Sequence, residues 1–182
     1  MKKFLVAAFM AVFAMTANAQ FWIGGQAGLG FQNYKNSADI TRFTIAPEVG
    51  YALNDKWDIA IAIGDEYSKA ENSDAMNAFS VNPYVRYTFA KTGKVGFFLD
   101  GGFKLTAGDI YYDNNALDDA TQWGLSIQPG VKFAATDKLT LVAKLGGIGY
   151  RHTQDDSKVY KCSEFGVNAN TYALSFGAYF AF

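Results

Sequence analysis

Eight stretches of this chain alternate with period two, and in all eight the same parity carries no charge. They span residues 21–31, 43–51, 57–63, 79–89, 97–105, 123–133, 139–145 and 172–182. Successive side chains of a β-strand point to opposite faces, so each stretch predicts a strand with one greasy face and one polar face. The polar parity takes every strand charge: Glu48, Asp58, Arg86, Asp100, Lys104, Lys132 and Lys144. Glycines fill much of the rest of that parity, beside the large Trp22, Tyr84, Phe98 and Tyr179. A few large residues set among glycines suit a narrow closed barrel whose interior is only just wide enough for side chains.

Two further patterns turn the charge-free face toward lipid. Its aromatics gather at strand ends, with Tyr51, Trp57, Tyr87, Phe97, Phe133 and Phe182 at one end and Phe31, Phe79 and Trp123 at the other. Such girdles mark the two membrane–water boundaries of a transmembrane barrel. Connections alternate between short turns (53–56, 90–94, 134–138) and longer polar loops (33–41, 65–78, 107–120, 151–168). Short periplasmic turns and long outer loops are the rule in such barrels, and strands of about 9–11 residues cross the hydrocarbon layer when tilted. The predicted fold is all-β: an eight-stranded antiparallel up-and-down transmembrane β-barrel.

The N-terminus reads as an export signal. Lys2 and Lys3 precede the apolar run Phe4 to Met15, and Ala17-Asn18-Ala19 supplies a small-x-small cleavage site. Residues 1–19 are thus expected to be removed, leaving 20–182 as one barrel domain exported through the Sec route. Loss of Lys2 and Lys3 takes 16 Lys+Arg to 14 against 17 Asp+Glu, a net charge of −3 that argues against a nucleic-acid partner. The single Cys162 cannot form an intrachain disulfide.

Pro47, Pro83 and Pro129 recur in Pro-x-Val-x-aromatic on the apolar parity. Proline brings no N–H to the ladder, so a bulge or local irregularity is expected at each.

The approaches to two turns, Tyr51-Ala-Leu-Asn-Asp-Lys-Trp57 and Phe133-Ala-Ala-Thr-Asp-Lys-Leu139, carry a family resemblance together with the ending Tyr-Ala-Leu-Ser-Phe-Gly-Ala-Tyr-Phe-Ala-Phe. On these the chain resembles the small eight-stranded outer-membrane barrels typified by OmpX and the membrane domain of OmpA, the outer membrane protein β-barrel domain proteins of Gram-negative bacteria. The resemblance implies an outer-membrane location among lipid and lipopolysaccharide. It makes Phe182, Phe180, Phe176, Leu174 and Tyr172 a signal to the barrel assembly machinery, and Glu48 with Arg86 an interior pair. It also implies a non-enzymatic barrel that contributes to envelope integrity and presents loops for adhesion or cell-surface contacts, with an unknown surface ligand. The alternatives are a small passive pore through the interior charges and, behind it, a lipid-modifying enzyme.

No catalytic residue, cofactor or metal site is assigned. His152 with Asp155 and Ser157 could form a hydrolase triad, but Gln154 stands where a deacylase-type barrel would place its serine. Acids at 65, 66, 71, 74, 109, 113, 118, 119, 155, 156 and 164 read as a solvated loop rim, with divalent cations shared with lipopolysaccharide phosphates as the other possibility. Tyr111, Tyr112, Tyr160 and Tyr172 add aromatic surface near the loops.

Overall fold

The computed structural model describes residues 21–32, 40–70, 74–112, 115–155, 160–168 and 174–182. The signal expected at 1–19, together with Glu71, Asp113, Asp156, Ser157 and Tyr172, lies outside them, as do the side chains of Phe31, Tyr111 and Tyr112.

Among the described residues ten strand segments are formed: β1 (Phe21–Gln32), β2 (Ile40–Ala52), β3 (Trp57–Ala70), β4 (Ala75–Thr92), β5 (Val95–Tyr112), β6 (Asn115–Ala134), β7 (Leu139–Lys144), β8 (Gly147–Gln154), β9 (Lys161–Asn168) and β10 (Ser175–Ala181). Each of β1 to β6 pairs antiparallel with the next, β7 pairs with β10, and β10 returns to β1. That ring is a closed eight-stranded barrel. β8 continues the line of β7 past Leu145 and Gly146 and pairs with the upper half of β6, and β9 pairs with β8. Backbone groups inside a bilayer must be satisfied within the protein, and ring closure does this by removing the sheet edges.

The faces sort as the alternation requires. Ile45, Ile59, Ile61, Ile63, Leu99, Leu125 and Phe176 are exposed on the outside, whereas Trp22, Tyr84, Phe98 and Tyr179 are buried inside. At the short-turn end the rings meet in pairs: Phe21 with Tyr51 (centroids 4.7 Å apart), Trp57 with Tyr87 (4.5 Å) and Phe180 with Phe182 (5.5 Å).

The two related turns share one device. Asn54 Oδ1 accepts from the backbone N–H groups of Lys56 (2.9 Å) and Trp57 (3.0 Å), and Thr136 Oγ1 accepts from those of Lys138 (3.2 Å) and Leu139 (2.9 Å). Asn and Thr thus do the same work at the same place, their side chains imitating a backbone turn. The third turn, Gly93-Lys94 between Thr92 and Val95, has Gly93 at φ 55°, where a Cβ would be strained.

The strands are longer than expected, and the long loops correspondingly shorter. β4, β5 and β6 run to 18, 18 and 20 residues. Asp65, Glu66, Asp109, Asp118, Asp119 and Glu164, expected in loops, sit on β3, β5, β6 and β9. The alternation of apolar residues ends where the greasy band ends, at Ile63 on β3, but hydrogen bonding continues through Asp65 and Tyr67 to Lys69. The apolar signal measures the membrane and not the strand.

The prolines also differ from expectation in detail. Each keeps its pairing toward the preceding strand: Pro47 with Gly25, Pro83 with Ile61 and Pro129 with Leu99. Toward the following strand the pairing lapses, at Ala46-Pro47, Asn82-Pro83 and Gln128-Pro129. Register is kept across the first two gaps and slips by one residue only at Pro129, where Leu145 N–H donates to the proline carbonyl (3.0 Å). Proline lacks a donor on one side only, so one ladder is interrupted and the other is not. The register shifts between β4 and β5 and between β5 and β6 lie elsewhere, at Thr88/Ala90 and Gly108/Ile110.

Candidate functional site: a charged and aromatic plug in the lumen

Strand register brings the interior charges to a common height. Arg86 on β4 stands between Asp58 on β3 and Asp100 on β5. Its Nε and Nη2 donate to Asp100 Oδ1 (2.7 Å) and Oδ2 (2.8 Å), the planar fork that only arginine offers a carboxylate. Lys144 Nζ reaches the same Asp100 Oδ2 at 2.8 Å and lies 3.9 Å from Glu48 Oε1. Glu48 accepts from Tyr84 Oη (2.7 Å) and from Gln26 Nε2, and Gln26 in turn accepts from Ser175 Oγ (2.9 Å). Tyr179 Oη accepts from Gln26 Nε2 (3.1 Å) and Arg86 Nη2 (3.2 Å).

Two cations and two carboxylates thus balance within one buried network. Arg86 is 2% exposed and Asp100 3%. Burial of this depth is tolerable only because each charge is paired and its remaining hydrogen-bonding groups are met.

Rings complete the filling. The Arg86 guanidinium lies 4.0 Å from the Phe98 ring centre, 5.1 Å from that of Tyr179, 5.5 Å from that of Tyr84 and 5.9 Å from that of Trp22. Trp22 stacks on Tyr179 at 4.3 Å. Space for these rings comes from interior glycines. A Cβ at Gly50 would fall 2.1 Å from the Trp22 ring, one at Gly130 2.3 Å from Phe98, and one at Gly24 2.6 Å from Tyr179.

The seven interior charges do not join in one cluster. Glu48, Arg86, Asp100 and Lys144 make the plug, Lys132 pairs with Asp58 at 3.9 Å, and Lys104 pairs higher up with Glu66. Arg86 takes Asp100 as its carboxylate, in place of the Glu48 that the family resemblance implied, because Asp100 is its direct neighbour across the β4–β5 ladder. Glu66 was missed as an interior residue because it lies beyond the apolar band, where parity gives no warning.

Above the plug the lumen opens into a polar cavity of about 430 Å³, with Lys104, Gln122, Ser126, Gln128 and Arg151 among its walls. Gly124, Gly147, Gly149 and Gly166 leave it wide.

At the outer end of β8, Asp155 Oδ1 accepts from the backbone N–H of Tyr160 (2.9 Å), and His152 Nδ1 lies 2.7 Å from Ser163 Oγ on β9, while Ser157 lies outside the described residues. Ser163 was invisible from spacing, since only the β8–β9 register sets it opposite His152. Among the described residues, no three His, Cys, Asp or Glu side chains gather as a metal site.

No curated protein matches the chain in sequence. Among solved structures, Neisserial surface protein A is similar, with 19% identity, 89% of this chain and 97% of that one covered, and a TM-score of 0.56. The N-terminal β-barrel domain of Pseudomonas aeruginosa OprF (16% identity, 91% and 100% covered, TM-score 0.49) and OprG of the same organism (11%, 90% and 96%, 0.49) also align. The likeness to Neisserial surface protein A speaks to the fold. The family described as outer membrane protein beta-barrel domain matches residues 4–180, nearly the whole chain. A closed eight-stranded barrel, greasy outside and plugged within, meets that family match, and the chain belongs to the outer membrane protein β-barrel domain family.

Proposed function

We propose that this outer-membrane protein is a non-conducting, non-enzymatic barrel that contributes to envelope integrity and presents its outer hairpins for adhesion or other cell-surface contacts. The observation that carries the reading is the plug. Arg86, Asp100, Lys144 and Glu48 hold one another across the lumen, while Phe98, Trp22, Tyr84 and Tyr179 pack around the guanidinium. An eight-stranded barrel leaves an interior that side chains just fill, and here the side chains present are large and mutually bonded. What such a barrel offers its surroundings is its two ends and its outer surface.

Single-channel recording on the reconstituted protein tests the first half. The expected trace has no conductance steps, and steps that persist in a clean preparation would overturn the reading in favour of a pore. For the second half, a deletion strain is expected to become more permeable to large apolar antibiotics and to bind less to host or neighbouring cells. Wild-type behaviour in both assays would sink the proposed role.

A further inference from the structure

The outward face of β6, β8 and β9 changes character in ordered rows. Cross-strand register lines up Thr121, Gln154 and Lys161 at the outer rim, then Trp123, His152 and Ser163, then Leu125, Tyr150 and Phe165, then Ile127, Ile148 and Val167. From the rim inward the face passes from cation and amide, through hydroxyl and ring, to bare aliphatic. An amphiphile standing in the outer leaflet has the same order, charged head outermost and hydrocarbon below.

The lowest row opens into a hollow. Ile127 pairs with Gly101 on β5, and a Cβ at Gly101 would meet no heavy atom within 4 Å. An apolar groove of about 890 Å³ lies there, walled by Val85, Phe103, Leu125, Ile127, Ile148 and Phe165. Pro83, beside which the β4–β5 pairing lapses, also borders it. Phe165 and Val167 are 74% and 75% exposed. At this depth water does not fill an apolar hollow, so hydrocarbon must.

We propose that this face binds lipopolysaccharide, with one acyl chain in the groove at Gly101 and a phosphate of the headgroup at Lys161. An acyl chain entering the groove leaves one hydrocarbon environment for another, so the groove selects by shape and the polar rows set the affinity. Lys161 offers an exposed cation. Ser163 Oγ, held by His152 Nδ1 at 2.7 Å and by the Tyr150 hydroxyl at 3.1 Å, offers a positioned hydroxyl at the height of the acyl ester oxygens. Trp123, 5.5 Å from both the Tyr150 and His152 rings, anchors the interface. The rows end at the outer hairpins, which places the headgroup contacts in the outer leaflet, where lipopolysaccharide is the amphiphile. A phospholipid of the inner leaflet would carry its phosphate at the opposite end of the barrel.

The test titrates the refolded full barrel in mild detergent with purified lipopolysaccharide or, separately, with phosphatidylethanolamine, and measures retained lipid by native mass spectrometry. Gly101→Phe sends a ring into the groove from a position where a Cβ meets no heavy atom within 4 Å, Lys161→Glu reverses the head contact, and Ala27→Phe adds the same ring to the outward face of β1 as a control. Wild type and Ala27→Phe are expected to retain lipopolysaccharide, while Gly101→Phe and Lys161→Glu each weaken retention about tenfold. Heat-modifiable gel migration certifies that each variant is folded, and the wild-type titration stands whatever the variants do. Retention of phosphatidylethanolamine in place of lipopolysaccharide, retention of neither, or equal retention by all folded variants would each overturn the proposal.

Discussion

Replacing Asp100 by Asn keeps the shape of the side chain and removes its charge. In the folded barrel this carboxylate receives two nitrogens of Arg86 at 2.7 and 2.8 Å and Lys144 at 2.8 Å. After the substitution Arg86 would lose its bidentate carboxylate, and Lys144 would be left with Glu48, 3.9 Å away. Breaking a buried ion pair by removing one partner costs about 3–5 kcal/mol, because the partner's desolvation is no longer offset. Urea unfolding in detergent micelles reads this directly. With a slope of about 2 kcal/mol per molar, the midpoint should fall by roughly 2 M. Glu66→Gln is the internal comparison, since the Lys104–Glu66 pair is 42% and 28% exposed. An ion pair that water reaches is worth about 1 kcal/mol or less, so its midpoint should barely move. The double variant Arg86→Met with Asp100→Leu should recover much of the lost stability, because neither buried charge then lacks a partner. Equal midpoints for Asp100→Asn and Glu66→Gln would refute the argument that the plug is held by its buried charges.

Other substitutions address the packing and the turns. Gly50→Ala puts a methyl where the Trp22 ring lies, and is expected to lower stability by about 1–3 kcal/mol in the same urea assay, with recovery on adding Trp22→Leu. Asn54→Ala and Thr136→Ala each remove an acceptor of two backbone N–H groups and should each cost about 1 kcal/mol, whereas Asn54→Thr should be nearly silent. Phe182→Ser removes the ring that meets Phe180, and is expected to slow assembly in cells, measured as the heat-modifiable fraction over time, while refolding in detergent is unchanged.

Most of the barrel is visible in the primary structure because period two is imposed by geometry on every residue of a strand. Ile59, Ile61 and Ile63 on one side and Asp58, Ala60 and Ala62 on the other could be assigned to faces without coordinates. The same logic found Glu48, Arg86, Asp100 and Lys144, since a charge on the interior parity has nowhere else to go. Pairing was harder. That Arg86 takes Asp100, or that His152 meets Ser163, depends on the stagger between strands, and parity is blind to a shift of two residues. Strand ends were hidden for a different reason. Beyond Ile63 the outward residues Asp65, Tyr67 and Lys69 are polar while the hydrogen bonds continue, so a reading built on apolar side chains stops too soon.

The three prolines join these themes. In an antiparallel strand a residue's N–H and C=O point to the same neighbour, so a proline disables one ladder at its position and leaves the other to its flanking residues. Pro47, Pro83 and Pro129 all direct the deficit toward the following strand, β3, β5 and the β7–β8 junction respectively. Common parity and a common direction of travel in β2, β4 and β6 make that agreement a consequence of the repeat. Two of the deficits then flank the same piece of outer wall: the lapse at Pro83 adjoins Gly102 on β5, and the lapse at Pro129 adjoins Ile127 on β6. Between them lies Gly101, paired with Ile127 and bare of side chain. A Cβ at position 101 would meet no heavy atom within 4 Å, so the hollow there does not relieve a close contact within the barrel wall.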